Sequence, residues 1–333
     1  MERKQEQTLI GESPVFLEVL EHASRVAQLN RPVLVVGERG TGKELIAARI
    51  HYLSPRWDRP FIKLNCAALA ESLLETELFG HEAGSFTGAT RRRLGRFELA
   101  NEGSLFMDEL ANTSDQVQEK VLRVIEYGEL ERVGGSETIY TDVRIIGATN
   151  EDLPALAREG KFRPDLLDRL AFEVITLPPL RDRQEDIMPL AEHFAVKMSG
   201  ELGLKLFQGF NESAIEQMME YRWPGNVREL KNVVERAVYT SFSNDEAISW
   251  ISFDPFDSPW RLGKESGDGN ADISVPDEAY DFKQHIQQFE VTLIKSALQK
   301  SRFNQKKTAD FLGMTYHQLR GYLRKYELTD QED

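Results

Sequence analysis

One short segment constrains the fold of this 333-residue chain more than any other. It lies between an apolar run, Val33–Val36, and a predicted helix, Glu44–Leu53, and its sequence is Gly37-Glu38-Arg39-Gly40-Thr41-Gly42-Lys43. Glycines in such a loop let backbone N–H groups turn toward phosphate oxygens, and the following helix N-terminus adds partial positive charge. Lys43 can then reach the β- and γ-phosphates of a nucleotide. A glycine turn between a strand and a helix is the alternative interpretation of this segment alone.

Two acidic residues after a later apolar run favour the nucleotide interpretation. Ser104–Met107 is followed by Asp108 and Glu109, and Asp108 lies 65 residues beyond Lys43. At this distance we expect Asp108 to bind Mg²⁺ through water and Glu109 to orient and deprotonate an attacking water. Paired acids at a strand end can instead cap the next helix. Glu44 stands where such loops usually carry Ser or Thr, so the ion would depend on water and on other carboxylates.

The order of the apolar runs predicts the fold class. Three further strand patterns follow the first one: Phe61–Asn65, Ser104–Met107 and Val143–Ala148. Between the last two, Gln116–Tyr127 has apolar residues at helical spacing. Alternating strands and helices indicate an α/β domain with a parallel sheet covered on both faces, which we assign to residues 1–177. Asn150 follows the fourth strand and is a candidate contact for the γ-phosphate or the water; an Asn in a turn is the alternative.

The remaining chain divides into three regions. Residues 178–253 have a helical pattern, in which we predict that Asn226 caps the last helix and Glu229 completes a capping box. Residues 254–280 are rich in Pro, Gly, Ser and Asp, which is typical of a flexible linker. Residues 281–333 form the third region, a predicted all-α domain.

The third region differs from the rest of the chain in charge. From Asp281 to Glu327 there are nine Lys/Arg and four Asp/Glu, a balance of +5, so the remainder of a chain whose net charge is −14 carries −19. Gln305–Tyr326 fits a helix-turn-helix, with Ala309 where the helices approach closely and Gly313 in the turn. We expect Leu312 and Leu319 to share its core. A helical hairpin with a solvated basic face is the alternative.

The polar side chains of this motif suit DNA. We predict that its second helix begins near Tyr316 and presents side chains to base edges in a major groove, while lysines contact phosphates. The predicted DNA-binding residues are Lys306, Lys307, Thr315, Tyr316, His317, Gln318, Arg320 and Arg324, with Lys325 as a further phosphate contact.

The overall composition limits which classes of protein this chain can belong to. The chain is 41% hydrophobic and 29% charged, which is ordinary for a globular protein. Its single cysteine, Cys66, can form neither an internal disulfide nor a cysteine metal cluster. No apolar run approaches the roughly 18 residues of a membrane helix, and Met1–Gln7 lacks the apolar stretch of a signal peptide. We therefore expect a cytoplasmic protein.

A loop between the two nucleotide motifs resembles that of a known family. The segment Gly84-Ser85-Phe86-Thr87-Gly88-Ala89 is similar to the GAFTGA loop of the sigma-54-dependent bacterial transcription activators, with Ser85 in place of alanine. Ordinary AAA+ ATPases lack this loop. In the family it touches sigma-54 when ATP is bound, and the resemblance implies that Phe86 and Thr87 make that contact.

The resemblance runs from Ile10 to about Tyr239 and resumes in the C-terminal motif, which is similar to a Fis-type domain whose earlier helix, here Gln284–Gln299, dimerises. It implies a P-loop AAA+ sheet domain with a helical lid, using ATP and Mg²⁺, and it accepts Glu44 in the P-loop. Three roles follow from it. Asn65 pairs with Glu109, Arg163 and Arg169 are arginine fingers for a neighbouring subunit, and Arg228 is the sensor II arginine. Without the resemblance, such exposed arginines would be weak surface pairs.

The implied partners are RNA polymerase carrying sigma-54, enhancer DNA and further copies of the chain in a ring, typically a hexamer. Most members carry an N-terminal receiver or sensor domain. Here the ATPase pattern begins by Leu9, so we expect no such domain. The chain resembles a member of the family that lacks this domain, and the resemblance implies a separate repressor protein that holds the ATPase off. Tyr52 and Trp57 lie at the end of the predicted P-loop helix and just after it, and an exposed Trp57 is a candidate contact for the repressor, with ordinary packing as the alternative.

Two other function classes stay open at this point. A AAA+ unfoldase would share the P-loop, Asp108 and Glu109, but would need neither the Gly84–Ala89 loop nor a helix-turn-helix. A DNA-binding regulator with ATP as a mere ligand would not need Glu109 or the finger arginines.

Overall fold

The computed structural model describes residues 9–86, 89–204, 206–241, 246–256 and 304–326, together with residues 287, 290, 291, 293–295, 297, 298 and 301. The chain forms two compact units, Met1–Pro255 and Phe256–Asp333. Most of the predicted linker, 254–280, and much of the predicted helix Gln284–Gln299 lie outside the described residues.

A five-stranded parallel sheet forms the centre of the first unit. The described strands are β1 (Val33–Val36), β2 (Phe61–Asn65), β3 (Gly80–His81), β4 (Arg93–Leu94), β5 (Ser104–Asp108), β6 (Glu129–Glu131), β7 (Thr138–Tyr140), β8 (Arg144–Thr149) and β9 (Val174–Thr176). The sheet has the order β2-β5-β8-β1-β9, and each neighbouring pair is parallel. The four predicted strands are confirmed to within one residue. The sequence does not predict β9, because it has three residues of which only Ile175 is buried.

Helices cover both faces of this sheet. The described helices are α1 (Pro14–Ala27), α2 (Lys43–Tyr52), α3 (Glu71–Phe79), α4 (Arg96–Leu99), α5 (Asp115–Tyr127), α6 (Leu153–Arg158), α7 (Pro164–Leu170), α8 (Ile187–Glu201), α9 (Glu212–Glu220), α10 (Asn226–Thr240), α11 (Gln305–Phe311) and α12 (Tyr316–Lys325). Successive residues of β5 point to opposite faces. Leu105 and Met107 belong to the core formed with α3 to α7, and Phe106 belongs to the core formed with α1 and α2. This explains why the strand is apolar throughout.

The helices α8, α9 and α10 pack around the buried Trp223 and form a lid subdomain. Asp186, which precedes α8 and is fully buried, accepts hydrogen bonds from the backbone N of Glu12 (2.6 Å) and of Ser13 (2.8 Å). The buried Arg183 donates to the carbonyl oxygen of Thr41 at 3.1 Å. The lid therefore holds both the segment before α1 and the glycine loop between β1 and α2.

The predicted cap of α10 is wrong. The helix begins at Asn226 itself, and the N-cap residue is Gly225. Glu229 does accept a hydrogen bond from the backbone N of Gly225 at 2.7 Å, but it reaches back four residues to the N-cap, one more than in the predicted capping box. The Asn226 side chain is fully buried and has other partners, which lie in the glycine loop.

Two short antiparallel ladders lie outside the main sheet. β3 pairs with β4, and β6 pairs with β7. The β3–β4 ladder closes a loop of residues 82–92, which contains the Gly84–Ala89 motif, and an isolated bridge joins His81 to Val133. Strands of two or three residues are too short to show a period of two, so the sequence does not predict them.

The second unit contains a helix-turn-helix. α11 and α12 share a core that includes Ala309, Leu319 and Leu323, with Leu312 packed against it. Gly313 has φ 63°, a conformation that favours glycine, in the turn. These observations confirm the predicted turn, the shared core and the start of the second helix. In the part of the chain that the structure describes, no helix has the length and apolar character needed to span a bilayer.

Candidate functional site

The parallel sheet brings the predicted nucleotide residues to one edge. Since β1, β2, β5 and β8 run in the same direction, the segments that follow them lie side by side. Asn65 is paired in register with Asp108, and Val36 with Thr149, so the glycine loop and Asn150 follow neighbouring strands. In open sheets of this kind, ligands bind at the carboxyl ends of the strands.

The glycine loop is shaped to receive an anion. Gly40 and Gly42 have φ of 79° and 102°, and a Cβ added at Gly42 would meet no atom within 4 Å. Lys43 is largely buried, and its Nζ donates to the carbonyl oxygens of Gly37 (2.8 Å) and Glu38 (3.1 Å). Burial lowers the pKa of Lys43, against the opposing effect of the Asp108 and Glu109 carboxylates. Among the described residues Lys43 has no ion pair within 4.0 Å, so a phosphate would supply its missing counter-charge.

The two acids have different environments. Burial raises the pKa of Asp108, and the nearby Lys43 only partly opposes this shift. Asp108 Oδ1 accepts a hydrogen bond from the backbone N of Glu109 at 3.0 Å. Glu109 has φ 53°, which costs a non-glycine residue roughly 1–2 kcal/mol, and its Oε1 lies 4.0 Å from Nε of Arg39. Such strain is typical of functional positions.

The Asp108 carboxylate also fits a magnesium ion. Magnesium prefers hard oxygen ligands and usually takes only one or two protein carboxylates together with phosphates and water. Asp108 is such a ligand, and its raised pKa means that the positive charge nearby does not fully stabilise its carboxylate. Glu44 is paired with Lys63 at 2.8 Å. No cluster of three or more metal-ligating side chains occurs among the described residues.

Two amide side chains of the predicted site have local partners in this structure. Asn65 Oδ1 accepts from the backbone N of Ala67 (2.9 Å) and of Ala68 (3.1 Å), and the structure gives no hydrogen bond between the described Asn65 and Glu109. Asn150 Nδ2 donates to Glu151 at 3.3 Å. The predicted nucleotide-dependent roles of Asn65 and Asn150 therefore stay predictions.

A hydrogen-bonded network around the buried Asn226 joins the glycine loop to the lid, and the sequence pattern does not predict it. Arg181 donates two hydrogen bonds to Glu38, at 2.6 and 3.0 Å. Asn226 Nδ2 donates to Glu38 (3.0 Å) and to the carbonyl oxygen of Arg39 (3.1 Å), while Asn226 Oδ1 accepts from the backbone N of Leu180 (2.8 Å). The hydrogen bonds from Arg181 and then Asn226 lower the pKa of Glu38 to about 2. We name this network, formed by Glu38, Arg181 and Asn226, the loop–lid clamp.

Close packing reinforces the clamp. A Cβ added at Gly40 would lie 2.3 Å from the carbonyl oxygen of Gly225 and 3.0 Å from Cβ of Arg228. Gly40 is thus required for the approach of the lid as well as for the loop conformation. Arg228 is exposed beside the loop, and its charge contributes to the lowered pKa of Lys43.

The two predicted finger arginines lie outside this site. Arg163 donates to both oxygens of Asp165, at 2.8 and 3.1 Å, and Arg169 donates to Glu126 at 2.8 Å. Among the described residues neither arginine bonds to the glycine loop. In a single chain, their side chains are instead held by neighbouring carboxylates.

The Gly84–Ala89 motif forms a compact turn with an exposed aromatic residue. The backbone N of Gly84 donates to the carbonyl oxygen of Ala89 at 2.7 Å, and Ser85 Oγ donates to that of Glu82 at 2.9 Å. Phe86 is 47% exposed, and its ring makes an edge-to-face contact with the ring of His81, with the ring centroids 5.0 Å apart. Thr87 and Gly88 lie outside the described residues.

In the helix-turn-helix, the polar residues predicted to contact DNA are mostly free to do so. The exposed ones are Lys306, Lys307, Thr315, His317, Gln318, Arg320 and Arg324, while Tyr316 is half-buried. Gln318 Oε1 also accepts a hydrogen bond from the backbone N of Thr315 at 2.8 Å, as part of a capping box at the start of α12. Gln318 therefore has a structural role besides any contact with a base.

Comparison with known proteins follows this division of the chain. Residues 9–176 match the sigma-54 interaction domain, residues 181–256 the AAA+ ATPase lid domain, and residues 286–326 the Fis family of bacterial regulatory proteins. The chain belongs to the sigma-54-dependent transcriptional activators.

Relatives of several kinds support this assignment to the sigma-54-dependent activators. The Psp operon transcriptional activator of Escherichia coli K12 is 56% identical over 320 residues, which cover 96% of this chain and 98% of that protein. The Nif-specific regulatory protein of Azotobacter vinelandii is 44% identical over 94% of this chain, but the match spans only 58% of that longer protein. Among solved structures, NtrX from Brucella abortus in complex with ATP has a TM-score of 0.70 and 31% identity, over 96% of this chain and 69% of that one.

Our first prediction for this activator concerns the loop–lid clamp. Replacing Asn226 by Ala leaves buried groups without partners, at a cost of about 1–3 kcal/mol each, and frees the lid from the glycine loop. We expect Asn226→Ala to lower the free energy of unfolding and to weaken nucleotide binding severalfold, measured by urea denaturation and by titration with a fluorescent ATP analogue.

The matched control is Asn211→Ala in the same subdomain. Asn211 caps α9 by accepting from the backbone N of Ala214 at 3.0 Å, so its loss costs about 1 kcal/mol without touching the glycine loop. Equal nucleotide affinity in the two variants would contradict a role for Asn226 in holding the loop.

The second prediction uses the acidity of Glu38. Because the pKa of Glu38 is lowered from 4.5 to about 2, its contribution to stability is full above about pH 4.5 and is lost as the pH falls toward 2. We expect Glu38→Gln to flatten the decrease in unfolding free energy over this pH range, by a small amount because solvent screens the half-exposed pair. Glu185→Gln, at an exposed lid position, should keep the wild-type slope. Identical slopes for wild type and Glu38→Gln would refute the assignment.

Proposed function

We propose that this sigma-54-dependent activator couples ATP hydrolysis to the remodelling of RNA polymerase that carries sigma-54. It would bind enhancer DNA through α12, act in the cytoplasm, and convert closed promoter complexes into open ones. The observation that carries this proposal is the exposed Phe86, presented on a glycine-flanked turn that is inserted in a nucleotide-binding domain. This turn carries the residues that resemble the GAFTGA loop through which the family contacts sigma-54, and it lies within the matched sigma-54 interaction domain.

The chain's own residues account for the chemistry of hydrolysis. The backbone N–H groups of the glycine loop and the N-terminus of α2 hold the phosphates, and Lys43 exchanges its carbonyl partners for phosphate oxygens. Asp108 would hold Mg²⁺. When bound, the ion neutralises charge on the β- and γ-phosphate oxygens. Glu109 orients the attacking water and accepts its proton, so that water adds to the γ-phosphorus and ADP leaves.

A complete active site would require a second copy of the chain. Arg163 and Arg169 bond to carboxylates of their own chain and not to their own glycine loop. We assign them as trans fingers, whose guanidinium groups stabilise the charge that develops at the neighbour's γ-phosphate. The ion pairs that Arg163 and Arg169 now form with carboxylates lie near the surface, so replacing each carboxylate by a phosphate costs little free energy. This arrangement implies a ring, for which six subunits is the family's usual number.

The lid and the nucleotide sensors would report the state of the site. Arg228 faces the nucleotide from the lid, while Asn65 and Asn150 exchange their local hydrogen bonds for contacts with Glu109 and the γ-phosphate. The Gly84–Ala89 loop then engages sigma-54 in the ATP state through Phe86 and Thr87.

The similarity to the E. coli Psp operon activator suggests a target and a repressor. We propose that the chain activates a phage-shock operon and that phage-shock protein A represses it. Tyr52, the last residue of α2, and Trp57, in the segment after it, are 59% and 64% exposed and therefore accessible to such a repressor.

The third prediction tests the two catalytic assignments. Lys43→Ala should abolish binding of ATP, because the phosphates lose their principal cation. Glu109→Ala should retain binding and lose turnover, because no base remains for the water. Titration with a fluorescent ATP analogue and release of phosphate measure the two properties. Normal hydrolysis by Glu109→Ala would show that another residue is the base.

The fourth prediction tests the coupling to sigma-54. Thr87→Ala should retain ATP binding, hydrolysis and ring assembly, and lose both capture of sigma-54 and open-complex formation. Capture is measured by gel shift with ADP and aluminium fluoride, and promoter opening by permanganate reactivity.

Thr90→Ala is the control, since Thr90 is exposed in the same loop but lies outside the motif. If Thr87→Ala captures sigma-54 and opens promoters as well as Thr90→Ala does, the loop assignment is wrong. Unfolding of a peptide-tagged substrate by the wild-type protein would favour an unfoldase instead.

A further inference from the structure

A buried glutamine of α5 links two parts of the molecule that the proposed function uses separately. Gln118 is 1% exposed, and both ends of its amide are engaged. Nε2 donates to the carbonyl oxygen of Thr113 at 2.8 Å, and Oε1 accepts from the backbone N of Arg163 at 2.8 Å. A weaker contact, at 3.4 Å, joins Nε2 to the carbonyl oxygen of Lys161.

One end of this link leads to Glu109. A single short helical turn, Leu110–Asn112, separates Glu109 from Thr113. Its hydrogen bonds run from the backbone N of Asn112 to the Glu109 carbonyl oxygen (3.0 Å) and from Thr113 Oγ1 to that of Leu110 (2.8 Å). One hydrogen-bonded turn therefore joins the strained backbone of Glu109 to the Thr113 carbonyl.

The other end leads to Arg163. This residue immediately precedes α7, and its carbonyl oxygen accepts from the backbone N of Leu167 at 3.1 Å. Its neighbour Phe162 is buried in the core, so the backbone here is fixed by packing and by the Gln118 amide. Among the described residues, the ion pairs of the guanidinium are by contrast with the surface carboxylates of Asp115 and Asp165. Gln118 thus fixes the point from which the Arg163 side chain extends.

We propose that Gln118 is a positioning residue that couples Glu109, at the nucleotide of its own subunit, to Arg163, which serves the nucleotide of the next subunit. This inference rests on the proposed trans role of Arg163. A buried amide cannot lose one partner without cost, because the unpaired group is desolvated. Movement of the 109–113 segment therefore shifts the Arg163 backbone through the same side chain, and the state of one site reaches the neighbouring site.

The experiment uses full-length protein and three variants. Gln118→Met removes both hydrogen bonds and retains the length of the side chain. Gln118→Glu retains an acceptor for the backbone N of Arg163 but loses the donor to Thr113. Gln116→Met is the matched control on the exposed face of the same helix, where the Gln116 side chain makes only a long 3.4 Å contact with Glu75. Nucleotide affinity, ring assembly by sedimentation, and the kcat and KM for ATP are measured for each.

We expect Gln118→Met to bind ATP with wild-type affinity and to lose at least about tenfold in kcat, since a small misplacement of a catalytic group has effects of this size. Gln116→Met should match wild type. Gln118→Glu should retain more kcat than Gln118→Met, because Arg163 is still held, but should lose the dependence of one site on its neighbour. This dependence is measured as the Hill coefficient for ATP. If Gln118→Met does not fold, Gln118→Glu still tests the proposal.

Mixing with Lys43→Ala protein separates a trans defect from a general structural one. Lys43→Ala subunits cannot bind ATP but have intact fingers, so they should restore hydrolysis to Gln118→Met subunits, as they should to Arg163→Ala subunits. If Arg163→Ala is restored and both Gln118 variants are not, Gln118 has no role in positioning the finger and the inference is overturned. If Arg163→Ala is not restored either, in mixtures shown to form mixed rings, the trans assignment in the proposed function fails, and this inference fails with it.

Discussion

The direction of the strands is the constraint on which the rest of the molecule depends. Because the five strands are parallel, their carboxyl ends lie at the same edge of the sheet. The polar residues that follow β1, β2, β5 and β8 are therefore brought close together. Lys43 and Asp108 come together there in a partly dry environment. Burial disfavours the charged form of each, and neither fully compensates the other. The edge is thus prepared for a ligand that carries many negative charges and for a cation that accompanies it.

This arrangement explains which parts of the site can be predicted from sequence. The strands and the residues that follow them are local patterns, and parallel pairing then determines where Lys43, Asp108 and Glu109 lie. The loop–lid clamp could not be predicted in this way. Asn226 stands before Glu229 in a spacing that is typical of a helix cap, and only the folded lid shows that its side chain reaches Glu38, 188 residues away. The role of Gln118 could not be predicted for the same reason, since its contact with Arg163 spans 45 residues and involves a backbone N–H.

The same comparison shows where short elements escape prediction. β9 and the two ladders have two or three residues each, so their sequences carry no periodicity, and their positions depend on neighbouring strands. The β3–β4 ladder nevertheless determines where the Phe86 turn begins and ends. In the described part of the turn, the backbone bond between Gly84 and Ala89 closes it, and the Ser85 hydroxyl bonds to Glu82. The serine that departs from the family motif is therefore accommodated within the turn.

The contacts of this molecule differ in how readily they can be exchanged, and that difference suggests how it works. Arg163 and Arg169, the proposed fingers, are paired with carboxylates of their own chain near the surface, contacts worth little in water, so a phosphate of a neighbouring copy would readily replace them in the proposed ring. The amides of Asn226 and Gln118 are buried and hydrogen-bonded at both ends, and such links cost more to break. In the proposed function, a change at the nucleotide would be carried along these buried amides as a shift of backbone, while the exposed side chains at their ends would change partners. Buried links that end in exchangeable surface contacts would let hydrolysis in one subunit alter the surface that it presents to the next subunit.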